Sequence, residues 1–199
     1  MPTETEVKYR VESLQPVREA LRARGAGHLG DVLETDCFFD TPDGDLLRED
    51  RGLRLRCSVS PEGGQCPAVL TYKGPRNPAS QHKVREEVET TVGDADSTAE
   101  ILCASGLRRV IEIQKRRQRW DLDGCEVSLD ELPLLGTFVE IECESIERIE
   151  SVRRALSLDA EAITASYFQM LAESCPRMGE QCDGATFEKC RDCGHRPSD

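Results

Sequence analysis

Thr3-Glu4-Thr5-Glu6-Val7-Lys8-Tyr9-Arg10-Val11 places a charged side chain at every second position from Glu4 to Arg10. Successive strand side chains point to opposite faces, so Glu4, Glu6, Lys8 and Arg10 share one side and Thr5, Val7, Tyr9 and Val11 the other. One such strand on its own reads as half-buried, with its charged side in water. The same division recurs along the chain, and the recurrence decides the fold.

In residues 52–59, Leu53, Leu55, Cys57 and Val59 oppose Arg54, Arg56 and Ser58. In residues 84–92, Arg85, Glu87, Glu89 and Thr91 share one side, opposite Val84, Val88 and Val92. A long strand over 110–122 carries Lys115, Arg117 and Arg119 on one side, and Asp123-Gly124 joins it to a strand over 125–130 with a two-residue hairpin signature. Val139 and Ile141 oppose Glu140 and Glu142. Segments 32–39 and 69–73 supply further strands. Helical spacing appears over 14–24, from an Asp94 or Asp96 cap to Ser105, and over 146–156 and 161–173.

The sum is roughly eight strands in hairpins, with few helices and no regular βαβ units. Same-sign charges side by side on one face repel unless counter-charged. A closed antiparallel barrel with a charge-lined interior sets opposite signs across its lumen. The expected fold is α+β: an eight-stranded antiparallel closed β-barrel over residues 1–173, with helices packed outside.

The 199 residues suit a single domain of ordinary size, and a formal net charge of -12 opposes a nucleic-acid partner. No apolar run is long enough to cross a bilayer, and the N-terminus lacks a signal peptide's apolar core, so a cytoplasmic protein is expected. Ten cysteines are many for that compartment. Six of them (Cys37, Cys57, Cys66, Cys103, Cys125 and Cys143) lack metal-ligand spacing and read as reduced, apolar-like residues.

Sorted by sign, the charged sides give an acidic set of Glu4, Glu6, Glu87, Glu89, Asp130, Glu140 and Glu142. The basic set is Lys8, Arg10, Arg54, Arg56, Lys73, Arg85, Lys115, Arg117 and Arg119. The three histidines stand in loop-like contexts, and there is no Gly-rich phosphate loop. Neighbouring carboxylates suit Mg²⁺ or Mn²⁺ together with substrate phosphate. Clustered Arg and Lys suit a polyanion, Arg by two-point contacts and Lys as a point charge. Both sets in one lumen describe a site for a metal-bound polyphosphate, where cleavage needs positioning and charge neutralisation rather than a side-chain nucleophile.

The Glu4-x-Glu6-x-Lys8 opening resembles the signature of the CYTH superfamily, the triphosphate tunnel metalloenzymes. The resemblance covers about residues 3–172. It runs through Phe39-Asp40-Thr41, Leu53-Arg54-Leu55-Arg56, Tyr72-Lys73-Gly74-Pro75, Arg85-x-Glu87-x-Glu89, Lys115-x-Arg117 and Asp130. It ends with Leu135-Gly136-x-Phe138-x-Glu140-x-Glu142, then Ser166-Tyr167 and Leu171. It implies an eight-stranded tunnel binding a triphosphate with divalent cations, and a second copy of the chain as partner in a homodimer. Carried over by position, Glu4, Glu6, Glu140 and Glu142 would hold metal, with Glu87, Glu89 and Asp130 as supporting acids. Lys8, Arg54, Arg56, Lys73, Arg85, Lys115 and Arg117 would hold the phosphates, with Lys8, Lys73 and Arg117 at the reacting group. Lys73-Gly74-Pro75 and the Leu135–Glu142 stretch look nearest to the class IV adenylyl cyclases, which convert ATP to cyclic AMP and pyrophosphate. One departure is Ala165, where some bacterial cyclases of this class have arginine before the Ser-Tyr pair. The alternatives are a triphosphatase acting on tripolyphosphate, thiamine triphosphate or a nucleoside triphosphate, and a non-catalytic polyphosphate-binding module.

Residues 174–199 differ in composition and form a Cys-rich tail, either disordered or tied by a metal. Cys175, Cys182, Cys190, Cys193 and His195 offer Zn²⁺ ligands, although the spacings before Cys190 fit no common zinc-finger pattern.

Overall fold

The computed structural model describes residues 5–61, 63–64, 67–75, 86–174 and 184–191. One sheet runs through the molecule. In chain order its main strands are β1 (Thr5–Val11), β2 (Gly27–Asp40), β3 (Gly52–Val59), β4 (Ala68–Lys73), β5 (Glu87–Val92), β6 (Arg108–Leu122), β7 (Cys125–Leu132) and β8 (Gly136–Cys143). Two short strands complete it, β9 (Ala162–Ile163) and β10 (Gly184–Ala185). The order is β5-β4-β3-β2-β6-β7-β8-β1-β9, with β10 added in parallel to β6.

The α+β, antiparallel-rich architecture agrees with the expectation, but the strand count and closure do not. The sheet has ten strands, and among the described residues no pairing joins β5 to β9. The pairing path is therefore open. The helix expected over 161–173 begins only at Tyr167, because Ala162 and Ile163 pair with Tyr9 and Lys8 of β1 instead.

Five α-helices flank the sheet: α1 (Gln15–Ala23), α2 (Asp45–Arg48), α3 (Ala95–Ala104), α4 (Ile146–Ala155) and α5 (Tyr167–Ser174). Their ends follow local chemistry. Pro16 stands at the start of α1, and Gly25 follows its end with φ +73°. Asp94 caps α3 by accepting from the Ser97 amide at 2.5 Å, and Ser145 caps α4 through the Arg148 amide at 3.4 Å. The β6–β7 turn takes positive φ at both Asp123 and Gly124, as the tight hairpin requires.

The apolar sides of most strands pack under helices, while Val88 of β5 stays exposed. Tyr9, Val127, Leu129, Val139 and Ile141 are buried beneath Val17 and Leu21 of α1 and Ile149 and Val152 of α4. Phe39 and Leu55 pack with Ala99 of α3. A third cluster lies at one end of the polar side, where Tyr167, Met170 and Leu171 of α5 meet Ile111, Ile113, Phe138 and Ala185. There β10 occupies a notch. The β7 partners of β6 begin at Arg116, and Gly184 and Ala185 pair with Glu112 and Ile113 just before it.

Cys125 and Cys143 form a disulfide, which corrects the expectation of reduced thiols at these two positions. The register puts their neighbours Glu126 and Glu142 opposite each other, bringing the cysteines face to face with a Cα separation of 4.8 Å. Cys37, Cys57 and Cys103 are free thiols, and Cys66 lies outside the described residues. No helix of the described residues is long and apolar enough to cross a membrane.

Candidate active site

Residues directly opposed in an antiparallel pair share a face, so the register alone assembles the site. Lys8 faces Glu140, Glu6 faces Glu142, and Phe138 faces Asp130. Asp130 faces Arg117, Lys115 faces Glu34, and Asp36 faces Arg56. Arg54 faces Thr71, which faces Glu89, and Lys73 faces Glu87. These side chains therefore lie on one continuous face. Most of them line a cavity of about 1070 Å³. Glu4 and Arg85 lie outside the described residues, as do Cys175, Cys182, Cys193 and His195 of the tail.

The interior is an alternating lattice of charge. Lys8 donates to Glu6 and lies 2.9 Å from Glu140, whose other oxygen is 2.8 Å from Arg117. Arg117 also makes a two-point contact with Asp130, at 2.7 and 2.6 Å. Asp130 is fully buried, and Tyr167 of α5 donates to its Oδ2 at 2.8 Å. Glu34 sits between Lys115 at 3.0 Å and Arg56 at 3.1 Å. Arg56 in turn grips Asp36 at 2.6 and 2.7 Å.

These pairs dictate protonation. Burial pushes the Glu140 carboxyl up, but Arg117, Lys8 and Lys115 overcome it and hold the group well below the usual carboxylate range. Glu34 is lowered too, since Lys115 and Arg56 outweigh its burial. Burial, with Arg117 and Arg56 close by, lowers the Lys115 ammonium, and Glu34 opposes that shift. Burial beside Asp130 and Glu140 raises the Tyr167 phenol well above its ordinary value, so it stays a proton donor.

Arg54 breaks the pattern. It donates to Thr71 at 3.2 Å, but its nearest carboxylates, Asp36 and Glu89, stand at 3.9 and 3.8 Å. Its Nε is buried with no hydrogen-bond partner among the described residues. Burial and the neighbouring Arg56 lower its pKa, while Asp36, Glu34 and Glu89 oppose that shift. An arginine so placed on a cavity wall has hydrogen-bond donors that an anion can take.

A divalent cation fits the donor set at one end of the face. Glu6, Glu142 and Glu126 form a row across β1, β8 and β7. Glu126 is answered by Arg119 at 2.9 and 2.6 Å, while Glu6 and Glu142 both reach the cavity wall. Two carboxylates directly opposed on neighbouring strands repel, and a hard cation relieves the repulsion with oxygen ligands alone. Glu140, held by Lys8 and Arg117, acts in this structure as their counterion. Glu87 and Glu89 lie on β5, where they contact Lys73 at 2.8 Å and Thr71 at 2.7 Å. Among the described residues no group of three or more His, Cys, Asp or Glu side chains stands ready-formed around a metal position. Cys190 packs half-buried against the α5 cluster.

Sequence reasoning missed Glu34, Asp36 and the contribution of Tyr167. The signal for the first two was present, since Val32, Glu34, Asp36 and Phe38 alternate on one side of β2. Apolar Val32 and Phe38 on that side hid it. The cavity also has an apolar portion, made by Phe38, Leu53, Val110, Ile113 and Phe168, in which the Phe38 and Phe168 rings lie 5.2 Å apart.

This cavity and sheet define a class of protein. The CYTH domain matches residues 2–164, and the chain belongs to that family. A relative from Methanocaldococcus jannaschii is 30% identical over 162 residues, 81% of this chain and 88% of its own. The adenylate cyclase CyaB of Aeromonas hydrophila is 30% identical over 177 residues, 88% of this chain and 80% of its own. Among solved structures, a Pyrococcus horikoshii protein superposes with a TM-score of 0.75 at 27% identity, covering 86% of this chain and 99% of its own. A Hippeastrum protein, whose structure is described as revealing a dominant triphosphatase activity, shares the fold with a TM-score of 0.66 at 21% identity, over 87% and 96% of the two chains.

Proposed function

We propose that the protein is a divalent-metal-dependent enzyme that cleaves a triphosphate in the charged cavity, with ATP to cyclic AMP and pyrophosphate as its reaction. The observation that carries this is Arg54, whose buried Nε has no hydrogen-bond partner among the described residues, on a wall shared with Arg56, Lys73, Lys115 and Arg117. The apolar portion around Phe38 and Phe168 supports an organic triphosphate over a bare inorganic one, because tripolyphosphate has nothing to place there. Kinship with the Aeromonas hydrophila cyclase supports the same choice.

In this assignment Arg54, Arg56, Lys115 and Arg117, with Arg85, hold phosphate oxygens, and Lys8, Lys73 and Arg117 stabilise charge at the reacting phosphate. Glu34, Asp36 and Asp130 keep the cations in place between turnovers. Cyclisation forms a bond from the ribose 3′-oxygen to the α-phosphorus, with the hydroxyl proton passing to water, and breaks the α–β bridge, whose electron pair leaves with pyrophosphate. The cations neutralise that developing charge, which supplies catalysis without a covalent intermediate. When bound by Glu4, Glu6, Glu140 and Glu142, Mg²⁺ or Mn²⁺ would add Lewis-acid neutralisation of the phosphates. The second reading is a triphosphatase, favoured by the activity described for the Hippeastrum protein of the same fold.

Purified protein incubated with ATP, thiamine triphosphate and tripolyphosphate under Mg²⁺ or Mn²⁺ tests both. Cyclic AMP and pyrophosphate in equal amounts are expected. Orthophosphate release without cyclic AMP would replace the cyclase by the triphosphatase. Binding without turnover would leave a polyphosphate-binding module. In the tail, zinc held by Cys175, Cys182, Cys190, Cys193 and His195 stands as a separate proposal, checked by metal content of the full chain against residues 1–173.

A further inference from the structure

Tyr167 is a large aromatic in an apolar cluster, and filling space would be a sufficient role for it if its surroundings were only apolar. They are not. Lys8 Nζ lies 5.2 Å from the centre of its ring and Lys115 Nζ lies 5.5 Å from it. Its hydroxyl donates to Asp130 Oδ2 at 2.8 Å, and that same oxygen accepts from Arg117 at 2.6 Å. The edge of Phe138 meets its ring at 5.3 Å, fixing the ring plane. One side chain thus touches, directly or through a single carboxylate, three cations from two strands, Lys8 of β1 and Lys115 and Arg117 of β6.

We propose that Tyr167 is a positioning residue that gathers Lys8, Lys115 and Arg117 into one triphosphate-binding cluster without adding a negative charge to the cavity. Three cations at close quarters repel and need something to hold them when no substrate is bound. A further carboxylate would do so but would also repel the incoming polyanion. The face of an aromatic ring attracts an ammonium through its quadrupole while carrying no net charge. The hydroxyl acts at the other end, fixing the Asp130 carboxylate and, through it, the two-point grip on Arg117. Because the ring is delivered by α5 rather than by the sheet, the cluster depends on how that helix seats against Ile113, Phe138 and Ala185.

This role rests on the triphosphate assignment of the same cavity, and the wild-type arm of the experiment separates the two. Binding of ATP and of tripolyphosphate with Mn²⁺ is measured by calorimetry, and KM and kcat for the triphosphate that turns over, in wild type, Tyr167→Phe, Tyr167→Leu and Tyr167→Met. Wild-type protein that binds neither ATP nor tripolyphosphate overturns the triphosphate assignment and this role with it. If the wild type binds, the leucine and methionine variants are expected to lose about tenfold in affinity, with a rise in KM larger than the fall in kcat. The phenylalanine variant, which keeps the ring, restores affinity to within about threefold of wild type while kcat stays lower. Methionine preserves most of the volume, so it reports on the ring if the leucine variant fails to fold. Wild-type affinity in the methionine variant, or a phenylalanine variant as weak as methionine, would overturn the proposal.

Discussion

Asp36 and Arg56 face each other across β2 and β3 in a buried two-point ion pair, with contacts of 2.6 and 2.7 Å. Neither residue meets the helices outside. The pair fixes the Arg56 guanidinium on the cavity wall. Removing one partner of such a pair strands the other charge in a poorly solvated place. Asp36→Asn should therefore cost about 3 kcal/mol in a urea titration. It should also weaken tripolyphosphate binding, because Arg56 then loses its two-point grip and keeps only its contact with Glu34 at 3.1 Å.

The acid side of the stability curve follows from the same carboxylates. Asp36, Glu34 and Glu140 all have folded pKa values lowered by their cationic neighbours against the pull of burial. A lowered folded value contributes stability that is fully present above the unfolded range of about 4, and is lost as the pH falls through the folded values. Urea midpoints should be flat near neutrality and fall steeply below about pH 4. Asp36→Asn should flatten that fall. An unchanged slope in the variant would remove Asp36 from the account.

Arg54 should behave in the opposite way to Asp36. It makes only one hydrogen bond at 3.2 Å, and its carboxylate contacts are long, so little folding energy depends on its head group. Arg54→Ala should leave the unfolding free energy from a urea titration within about 1 kcal/mol of wild type, the worth of one hydrogen bond. Anion binding should fall by about 10- to 100-fold, the value of a charge-assisted contact to phosphate. Calorimetry with tripolyphosphate reads this directly.

The opposed Glu6 and Glu142 predict metal dependence in detail. Chelation should abolish turnover, and added Mg²⁺ or Mn²⁺ should restore it. Glu142→Gln removes one oxygen charge from the row and should raise the Mn²⁺ concentration for half-maximal activity by about tenfold or more. Full activity at unchanged Mn²⁺ would place the metal elsewhere.

The Cys125–Cys143 disulfide closes a loop of 18 residues in sequence. A loop of that length contributes about 3 kcal/mol, so unfolding with and without dithiothreitol should differ by about that much. Alkylation of unfolded protein should label two more thiols after reduction than before.

The polar wall was legible in the sequence wherever every inward position on a strand is charged, as at Glu6, Lys8 and Arg10, or at Lys115, Arg117 and Arg119. It was hidden on β2, where Glu34 and Asp36 alternate with Val32 and Phe38 and resemble a mixed surface. Tyr167 was visible only as part of a motif, because its partners Lys8, Lys115 and Asp130 come from three distant strands. The same cause explains the failed helix start. Local spacing over 161–166 allows a helix, and the pairing of Ala162 and Ile163 with β1 overrides it. The cross-strand disulfide depends on register, which alternation alone does not set.

The notch in β6 has a consequence for biosynthesis. Glu112 and Ile113 are made well before their partners Gly184 and Ala185. Until then the growing chain carries an uncovered sheet margin, of the kind that templates strand exchange with a neighbour. The sheet beside β6 can be finished only after residues 184–185 are made, so a ribosome stalled short of residue 184 would leave a nascent chain prone to joining its own kind.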